Sequence, residues 1–313
     1  MLAYLIRRVL AVIPVMAVVA IIVFLLLRLT PGDPAAVIAG DYATPNDIER
    51  IRQQLGLNEP IYTQLGIWLW SLMRGDLGIS IFSELPVTRL IGQRLEPTLA
   101  LTLSTMLFAI VFAVPMGVVA AWKVRTWVDR VLMLFAVLSF SLPVFWLGFL
   151  LIRVFSVGLE WLPVQGYVSF REGWVPFLSH LILPSATLGL VYMALIARIT
   201  RATVLEVLAE DYIRTAHAKG LRPMNVLFGH ALKNASVPIV TILGVGVALL
   251  IGGVVVTESV FAIPGLGRLT VDAILRRDYP VIQGVILVFS AAYVLVNLLV
   301  DLTYTFLDPR IRY

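Results

Sequence analysis

Apolar residues gather in six long uncharged runs: Val9 to Leu27, Pro97 to Trp122, Val131 to Ile152, Gly173 to Ala197, Asn234 to Thr257 and Tyr279 to Val300. Each approaches or exceeds the roughly 20 residues that an α-helix needs to cross about 30 Å of hydrocarbon. None shows the ten-residue polar and apolar alternation of a membrane barrel, so the pattern predicts six membrane-spanning helices. Pro115, Pro143 and Pro184 fall inside the runs and predict kinks, which helix bundles tolerate.

The stretch after the first run is polar and patterned. In LTPGDPAAVIAG, Pro31, Gly32, Asp33 and Pro34 stop the first helix. Two amphipathic helices are predicted next. One has Thr44 as N-cap, Pro45 at its first position, Asp47 completing a capping pattern, apolar Ile48, Ile51 and Leu55, and Gly56 as terminator. The other opens at Pro60, carries Ile61, Leu65, Trp68, Leu69 and Leu72 on one stripe, and ends near Gly75. The expected organisation is a first span over 1–30, an external loop with amphipathic helices over 31–96, and a five-span domain over 97–308 that carries a polar loop at 198–236. Arg7 and Arg8 precede the first run, but its apolar core is longer than that of a secretory signal and no small-x-small site follows Leu29, so it is expected to be retained as a span.

Charge sets the orientation. Arg7, Arg8, Lys123, Arg125, Arg130, Arg198, Arg201, Arg214, Lys219, Arg222, Lys233, Arg310 and Arg312 all fall on one side if the N-terminus is inside, whereas the loop before the fourth run offers Arg171 and, just past the end of the third run, Arg153. The loop before the sixth run holds Arg268, Arg276 and Arg277, balanced by Glu258, Asp272 and Asp278. Positive-inside logic therefore puts both termini and residues 198–236 in the cytoplasm, and residues 31–96 outside.

Composition agrees with the pattern. With 60% hydrophobic and 14% charged residues and a mean hydropathy of +0.95, the chain holds more apolar surface than a soluble domain can cover, so the class is all-α integral membrane protein. The net charge of +5 reflects the topological bias, and no compact basic surface points to nucleic acid. With no cysteine the chain has no disulfide, thiolate metal site or cysteine nucleophile. It has no phosphate-binding loop, no H-E-x-x-H and no G-x-S-x-G, and its three histidines, His180, His217 and His230, are scattered. The runs contain neither Asp nor Glu; Glu258 and Asp301 fall just beyond run ends, where water is expected to reach them. A carrier driven by its own ion coupling would place carboxylates mid-membrane. The energy is therefore expected to come from another subunit.

The loop between the fourth and fifth runs contains EDYIRTAHAKGLRPMNVLFGHALKN. Asp211 to Lys219 reads as a short helix closed by Gly220, with Tyr212, Ile213 and Ala216 on one side, and Pro223 starts a second. In the second, Met224, Leu227, Phe228, Ala231, Leu232 and Ala235 form an apolar stripe running into the fifth run. A helix this short cannot bury itself alone, and Ala216 is expected to face an apolar groove on a partner. In the fifth run, Gly244, Ala248 and Gly252 recur every four residues, a small-residue stripe that lets another helix approach closely or lines a pathway.

These residues carry a resemblance. EDYIRTAHAKGL resembles the cytoplasmic coupling motif of binding-protein-dependent ABC importer permeases of the dipeptide, oligopeptide, glutathione and nickel group. The wider family writes that motif as E-A-A, three residues, then Gly; aligned on Gly220 it falls on Arg214, Thr215 and Ala216, so the second alanine and the glycine match. Along the rest of the chain, LTPGDP, QQLGLNEPIY, GDLGIS, LILPSATLGL, FAIPGLGRLTVDAILRRDYPVIQG and LDPRIRY resemble, in order, the first of the two paired permeases of peptide importers.

The resemblance implies a type I ABC importer permease with six spans, multi-pass in a bacterial inner membrane. It implies as partners a second homologous permease, two ATP-binding subunits that hold ATP and Mg, and an extracytoplasmic substrate-binding protein. No cofactor is implied in this chain, and the permease itself is expected not to be an enzyme. It implies ATPase coupling through Glu210, Asp211, Tyr212, Ile213, Arg214, Thr215, Ala216, His217, Ala218, Lys219, Gly220 and Leu221. Peptide is the implied cargo, with nickel-chelate and oligosaccharide importers as the neighbouring alternatives; a self-sufficient channel or secondary carrier is the rival class.

Overall fold

The computed structural model describes residues 2–29, 35–36, 44–54 and 56–307. Among these residues the regular structure is helical, and extended backbone pairs only in an isolated antiparallel bridge between Ile79 and Pro86. Four helices are long and apolar enough to cross a bilayer, over Val87–Trp122, Trp174–Leu208, Pro223–Val247 and Tyr279–Thr303. A bent pair, Trp127–Ser141 and Val144–Gly158, makes a fifth span if it is taken as one, and Leu10–Leu25 is a shorter apolar helical stretch. Each of the six apolar runs thus falls on helix.

The chain divides into two compact units, residues 1–95 with 269–294, and residues 96–268 with 295–313. In the first unit, α1 (Leu2–Leu29) carries Pro14 within it. Residues Pro31 to Pro34, expected to stop this helix, lie outside the described residues, as do Leu55 and the side chains of Asp47 and Ile51. Helix α2 (Pro45–Gln54) begins where expected, with the Ile48 amide donating to the Thr44 carbonyl at 3.1 Å. It ends at Gly56, whose φ of +64° is the left-handed cap that glycine adopts without strain. Helix α3 (Ile61–Met73) half-buries Leu65, Trp68, Leu69 and Leu72, while Ile61 stays exposed, and the Trp68 ring packs 5.5 Å from Phe24 of α1. A tight hairpin at residues 78–87 then leads into α4 (Val87–Trp122). Helix α4 starts ten residues before the apolar run does, because its first turns are polar and hydropathy alone does not register them.

Pro143 does more than kink its run. Proline disfavours helical geometry in the residue before it, and Leu142 sits at φ −87°, ψ 134°. Helix α5 (Trp127–Ser141) therefore stops, and α6 (Val144–Leu151) restarts at 106° to it before continuing as a π-helical turn over Ile152–Gly158. Pro115 and Pro184, by contrast, remain inside continuous helices.

The second unit is organised around α7 (Trp174–Leu208). Of its most apolar window 67% is buried, against 11% for the last helix, so α7 is the central element and the last helix a peripheral one. Leu188, Ile196, Leu101, Leu250, Val254, Phe261 and Ile263 form the core around it. Lipid gives no hydrophobic drive for helices to associate, so contact depends on close approach. Glycine supplies it here. A methyl group at Gly117 of α4 would sit 2.6 Å from the Ala197 carbonyl oxygen and 2.7 Å from Thr200 Cβ; at Gly189 of α7 it would sit 2.5 Å from the Phe108 ring.

Helix α9 (Lys233–Val260) crosses α7 through Gly253, where a methyl group would meet Leu188 Cδ1 at 2.7 Å. Gly244, the first member of the expected small-residue stripe, faces the last helix instead, with Val300 Cγ2 at 2.5 Å from the position of a methyl group. The side chains of Ala248 and Gly252 lie outside the described residues. Many large apolar side chains, including Leu103, Leu107, Leu134, Phe140, Phe149 and Leu299, are exposed, as suits a surface solvated by lipid in a multi-pass membrane protein.

Gly117→Val is expected to force α4 and α7 apart, since the obstacle is backbone that cannot rotate away, at a cost of about 1–3 kcal/mol. Thermal unfolding of the purified chain in detergent measures this as a fall of several degrees; an unchanged midpoint would show that this crossing has slack.

Candidate functional site

The polar segment after α7 is built from two short elements. Helix α8 (Asp211–Ala218) follows α7 after two residues, and its end is set by Gly220 at φ +76°, with the Gly220 amide donating to the His217 carbonyl at 2.9 Å. Pro223 opens the next element, which turns π-helical over Val226–Leu232 before α9 begins.

Of the twelve candidate coupling residues, Ile213 and Ala216 are buried, at 2% and 7% exposure, in a cluster with Val118, Ala121, Val204, Val226, Leu227, Ala231, Ala235 and Ile239. Glu210, Asp211, Tyr212, Arg214, Thr215, His217, Ala218, Lys219, Gly220 and Leu221 are exposed. This corrects the expected role of Ala216: its small side chain fits the close packing of the chain's own core and does not face outward. Tyr212 also leaves the expected buried side, and its hydroxyl accepts from Asn234 Nδ2 at 2.9 Å.

The expected stripe of the second element is split as well. Leu227, Ala231 and Ala235 are buried together with Val226, but Met224 and Phe228 are exposed. The π turn is the cause, because an extra residue per turn rotates the face that a 3.6-residue period assigns. The outcome is a helical knuckle held by its inner face. Its outer surface carries apolar Tyr212, Leu221, Met224 and Phe228 together with Arg214, His217, Lys219 and Arg222. The Arg214 to Asp211 pair on this surface, at 3.3 Å, is almost fully solvated and worth little on its own.

The knuckle is anchored close by. Arg201, near the end of α7, makes a bidentate pair with Asp129 in the first turn of α5, at 2.6 and 2.8 Å, and the Arg125 amide donates to the same carboxylate at 3.1 Å. Asp129 is buried, so the pair fixes α5 and the loop before it against the base of α7. Sequence reasoning treated Arg201 only as a topological charge; the signal it passed over was one acid among the cations Lys123, Arg125 and Arg130.

A second polar centre sits at the far end of α9. Glu258 has 0% exposure, which overturns the expectation that water reaches it. Its Oε1 accepts from Thr98 Oγ1 at 2.6 Å, its Oε2 accepts from the Arg268 amide at 2.9 Å, and Thr98 Oγ1 accepts from the Leu266 amide at 2.7 Å. Gly265 and Gly267 lie so close to the carboxylate that neither has room for a methyl group. Glu258 thus clasps the turn after α9 and, through Thr98, the body of α4. The glycines of PGLG were the sequence signal for it.

Nearby, Glu96 accepts from Tyr167 Oη at 2.9 Å and Ser169 Oγ at 2.6 Å. Burial, then the Glu96 carboxylate, push the Tyr167 hydroxyl above its ordinary range, so it stays protonated and donating. Among the described residues no group of three His, Asp or Glu side chains is placed to hold a metal.

The family described as "Binding-protein-dependent transport system inner membrane component" matches residues 113–313, and its N-terminal counterpart matches residues 1–102. A probable peptide ABC transporter permease of Sinorhizobium fredii is 54% identical, covering 99% of each chain. A putative peptide transport system permease of Brucella abortus is 48% identical over the whole of both chains. The glutathione transport system permease GsiC of Escherichia coli K12 is 47% identical, again over the whole of both. Among solved structures, the inward-facing MetNI methionine ABC transporter matches 71% of this chain and 97% of its own, with a TM-score of 0.59 at 18% identity.

Asp129→Ala is expected to leave Arg201 part-buried and unpaired, destabilising the chain by about 1–3 kcal/mol after allowance for solvent screening at the guanidinium. Adding Arg201→Met should recover part of that loss in detergent unfolding. If the double variant is no better than the single one, the two side chains are not coupled.

Proposed function

We propose that this chain, which belongs to the family of binding-protein-dependent transport system inner membrane components, is one transmembrane half of an ABC importer that passes peptides inward. It is a multi-pass permease with the fold of a type I ABC importer permease, and it works beside other subunits of such a transporter. Peptide, in the range of dipeptide, oligopeptide or glutathione, is the cargo that its full-length relatives favour by their names.

The rest of the assembly follows the same reading. A second homologous permease completes the pathway, two ATP-binding subunits hold ATP and Mg on the cytoplasmic side, and an extracytoplasmic binding protein delivers the cargo. The chain lies in the bacterial inner membrane with both termini in the cytoplasm, as its Lys and Arg bias supports.

The observation that carries this reading is the two-faced helix α8. Its inner face, Ile213 and Ala216, is locked into the core that also holds Val204 of α7. The outer surface of the knuckle, with Tyr212 on α8 and Leu221, Met224 and Phe228 after it among cations, has the mix of apolar and basic side chains suited to a partner's groove. ATP-driven closure of the ATPase pair would move the knuckle and, through its anchored face, α7. A ligand-driven change requires differential binding between two states, and a partner that changes shape with ATP provides it.

Leu221→Glu with Phe228→Glu places charge on the outer face alone, where the chain's own stability should shift by no more than about 0.5 kcal/mol per site. Co-purification with the ATPase subunits, or ATP hydrolysis stimulated by loaded binding protein, is expected to fall at least tenfold. Ala216→Arg should act differently, lowering the unfolding temperature of the isolated chain because Ala216 is buried within it. Normal assembly and hydrolysis in the double glutamate variant would refute the placement of the coupling surface.

A further inference from the structure

The corner between α4 and α5 sets charge and aromatic rings side by side at the ends of two spans. Helix α4 ends at Trp122 and α5 starts at Trp127 after four residues, and the Thr126 hydroxyl closes the turn by donating to the Lys123 carbonyl at 2.6 Å. Every residue from Trp122 to Trp127 is exposed, as is Arg130. Trp127, 74% exposed, heads a stripe that runs along α5 through Val131, Leu134 and Leu138, all exposed and spaced as one helix face. An apolar face of three turns on a spanning helix suits lipid, and a tryptophan at its end suits the level where acyl chains give way to headgroups. Lys123 Nζ stands 4.7 Å from the centre of the Trp122 ring, so a cation is held beside the second tryptophan. Arg130, three residues after Trp127, neighbours it on α5.

The cations of this corner have no counter-charge. Asp129 is the acid nearest to them in sequence, and its oxygens are taken by Arg201 of α7 and by the Arg125 amide. Among the described residues no carboxylate forms an ion pair with Lys123, Arg125 or Arg130. Arg125 also holds φ +66°, a left-handed conformation that glycine adopts freely and other residues rarely do. The turn itself would be better served by glycine, so its geometry does not call for the guanidinium. Exposed Lys and Arg beside tryptophans at the edge of a bilayer match the phosphates of anionic lipids.

We propose that the corner Trp122–Arg130 is a binding site for the phosphate headgroup of an anionic phospholipid in the cytoplasmic leaflet. Lys123, Arg125 and Arg130 donate to the phosphate from long, flexible side chains, while Trp122 and Trp127 lie against the upper acyl chains. Arg201 stays committed to Asp129 and takes no part. The leaflet rests on the orientation proposed above, whereas the binding itself rests only on the two spans.

The test uses the full chain in lipid nanodiscs. Because the chain has no cysteine, Val124→Cys gives a single thiol at an exposed position of the corner for a bimane fluorophore. A minor share of the lipid carries a nitroxide high on its acyl chain, on phosphatidylglycerol in one sample and on phosphatidylcholine in the other. The phosphatidylglycerol should quench about threefold more strongly, and added salt should narrow the difference. Lys123→Gln with Arg125→Gly should abolish the difference without lowering the unfolding midpoint in detergent, since glycine relieves the backbone at position 125; Lys123→Gln alone should reduce it. Equal quenching by the two lipids overturns the proposal, as does a difference that survives in the double variant. Loss of the difference on adding inorganic phosphate at matched ionic strength would make the corner a site for free anion, and loss of all quenching in the transporter assembled with its ATPase subunits would assign it to a protein contact; either result also overturns the proposal. Labelling of Val124→Cys in intact cells by an impermeant thiol reagent would overturn the leaflet and the orientation it rests on, and not the binding.

Discussion

The close packing of the helix Trp174–Leu208 is the constraint on which the second unit depends. In a bilayer, helices gain little from associating unless their backbones come near enough for van der Waals contact. This helix meets that demand at crossings made by Gly117, Gly189 and Gly253, each of which leaves no space for a methyl group. The result is a rod buried through its middle, from Leu181 to Val204, carrying Arg201 near one end to grip Asp129. Two residues past its last turn begins the helix that bears Ile213 and Ala216, whose side chains share a core with Val204 of the rod. Interiors packed this way transmit displacement more readily than they absorb it. The inner face of Asp211–Ala218 is packed into the same core as the rod.

Much of this was legible in the sequence because membrane spans obey a simple rule. A run of apolar residues long enough to cross must be helical, since lipid offers no partner for the backbone. That rule located all six helical segments, while capping residues and apolar periodicity located the two amphipathic helices after the first, with Gly56 and Gly75 at their ends. What it missed were departures from regular helix geometry. The effect of Pro143 on Leu142 turned an expected kink into a break of 106°. The π turn at Val226–Leu232 rotated Met224 and Phe228 out of the stripe that a 3.6-residue period assigned to them.

The candidate site was legible in its position but not in its faces. Tyr212, Ile213 and Ala216 were grouped by period alone, and period does not reveal whether the buried side belongs to the chain or to a partner. The placement of Glu258 failed for a related reason: lying at the end of an apolar run suggests water, whereas Thr98 and the Arg268 amide close over it. Long-range partners separated by 160 residues leave no local pattern. They leave only indirect marks, such as the two glycines of PGLG that make room for the carboxylate.

Because the chain has no cysteine, the central claim, that energy enters from a partner ATPase through the exposed face of Asp211–Leu221, has a direct reading. Thr215→Cys places a single thiol on that face, and its rate of alkylation by a maleimide, followed by the mass of this chain, compares the permease alone with the transporter assembled on its ATPase subunits. The account predicts that assembly slows labelling at least tenfold and that ATP changes the rate again. Equal labelling in the free and assembled states would contradict it.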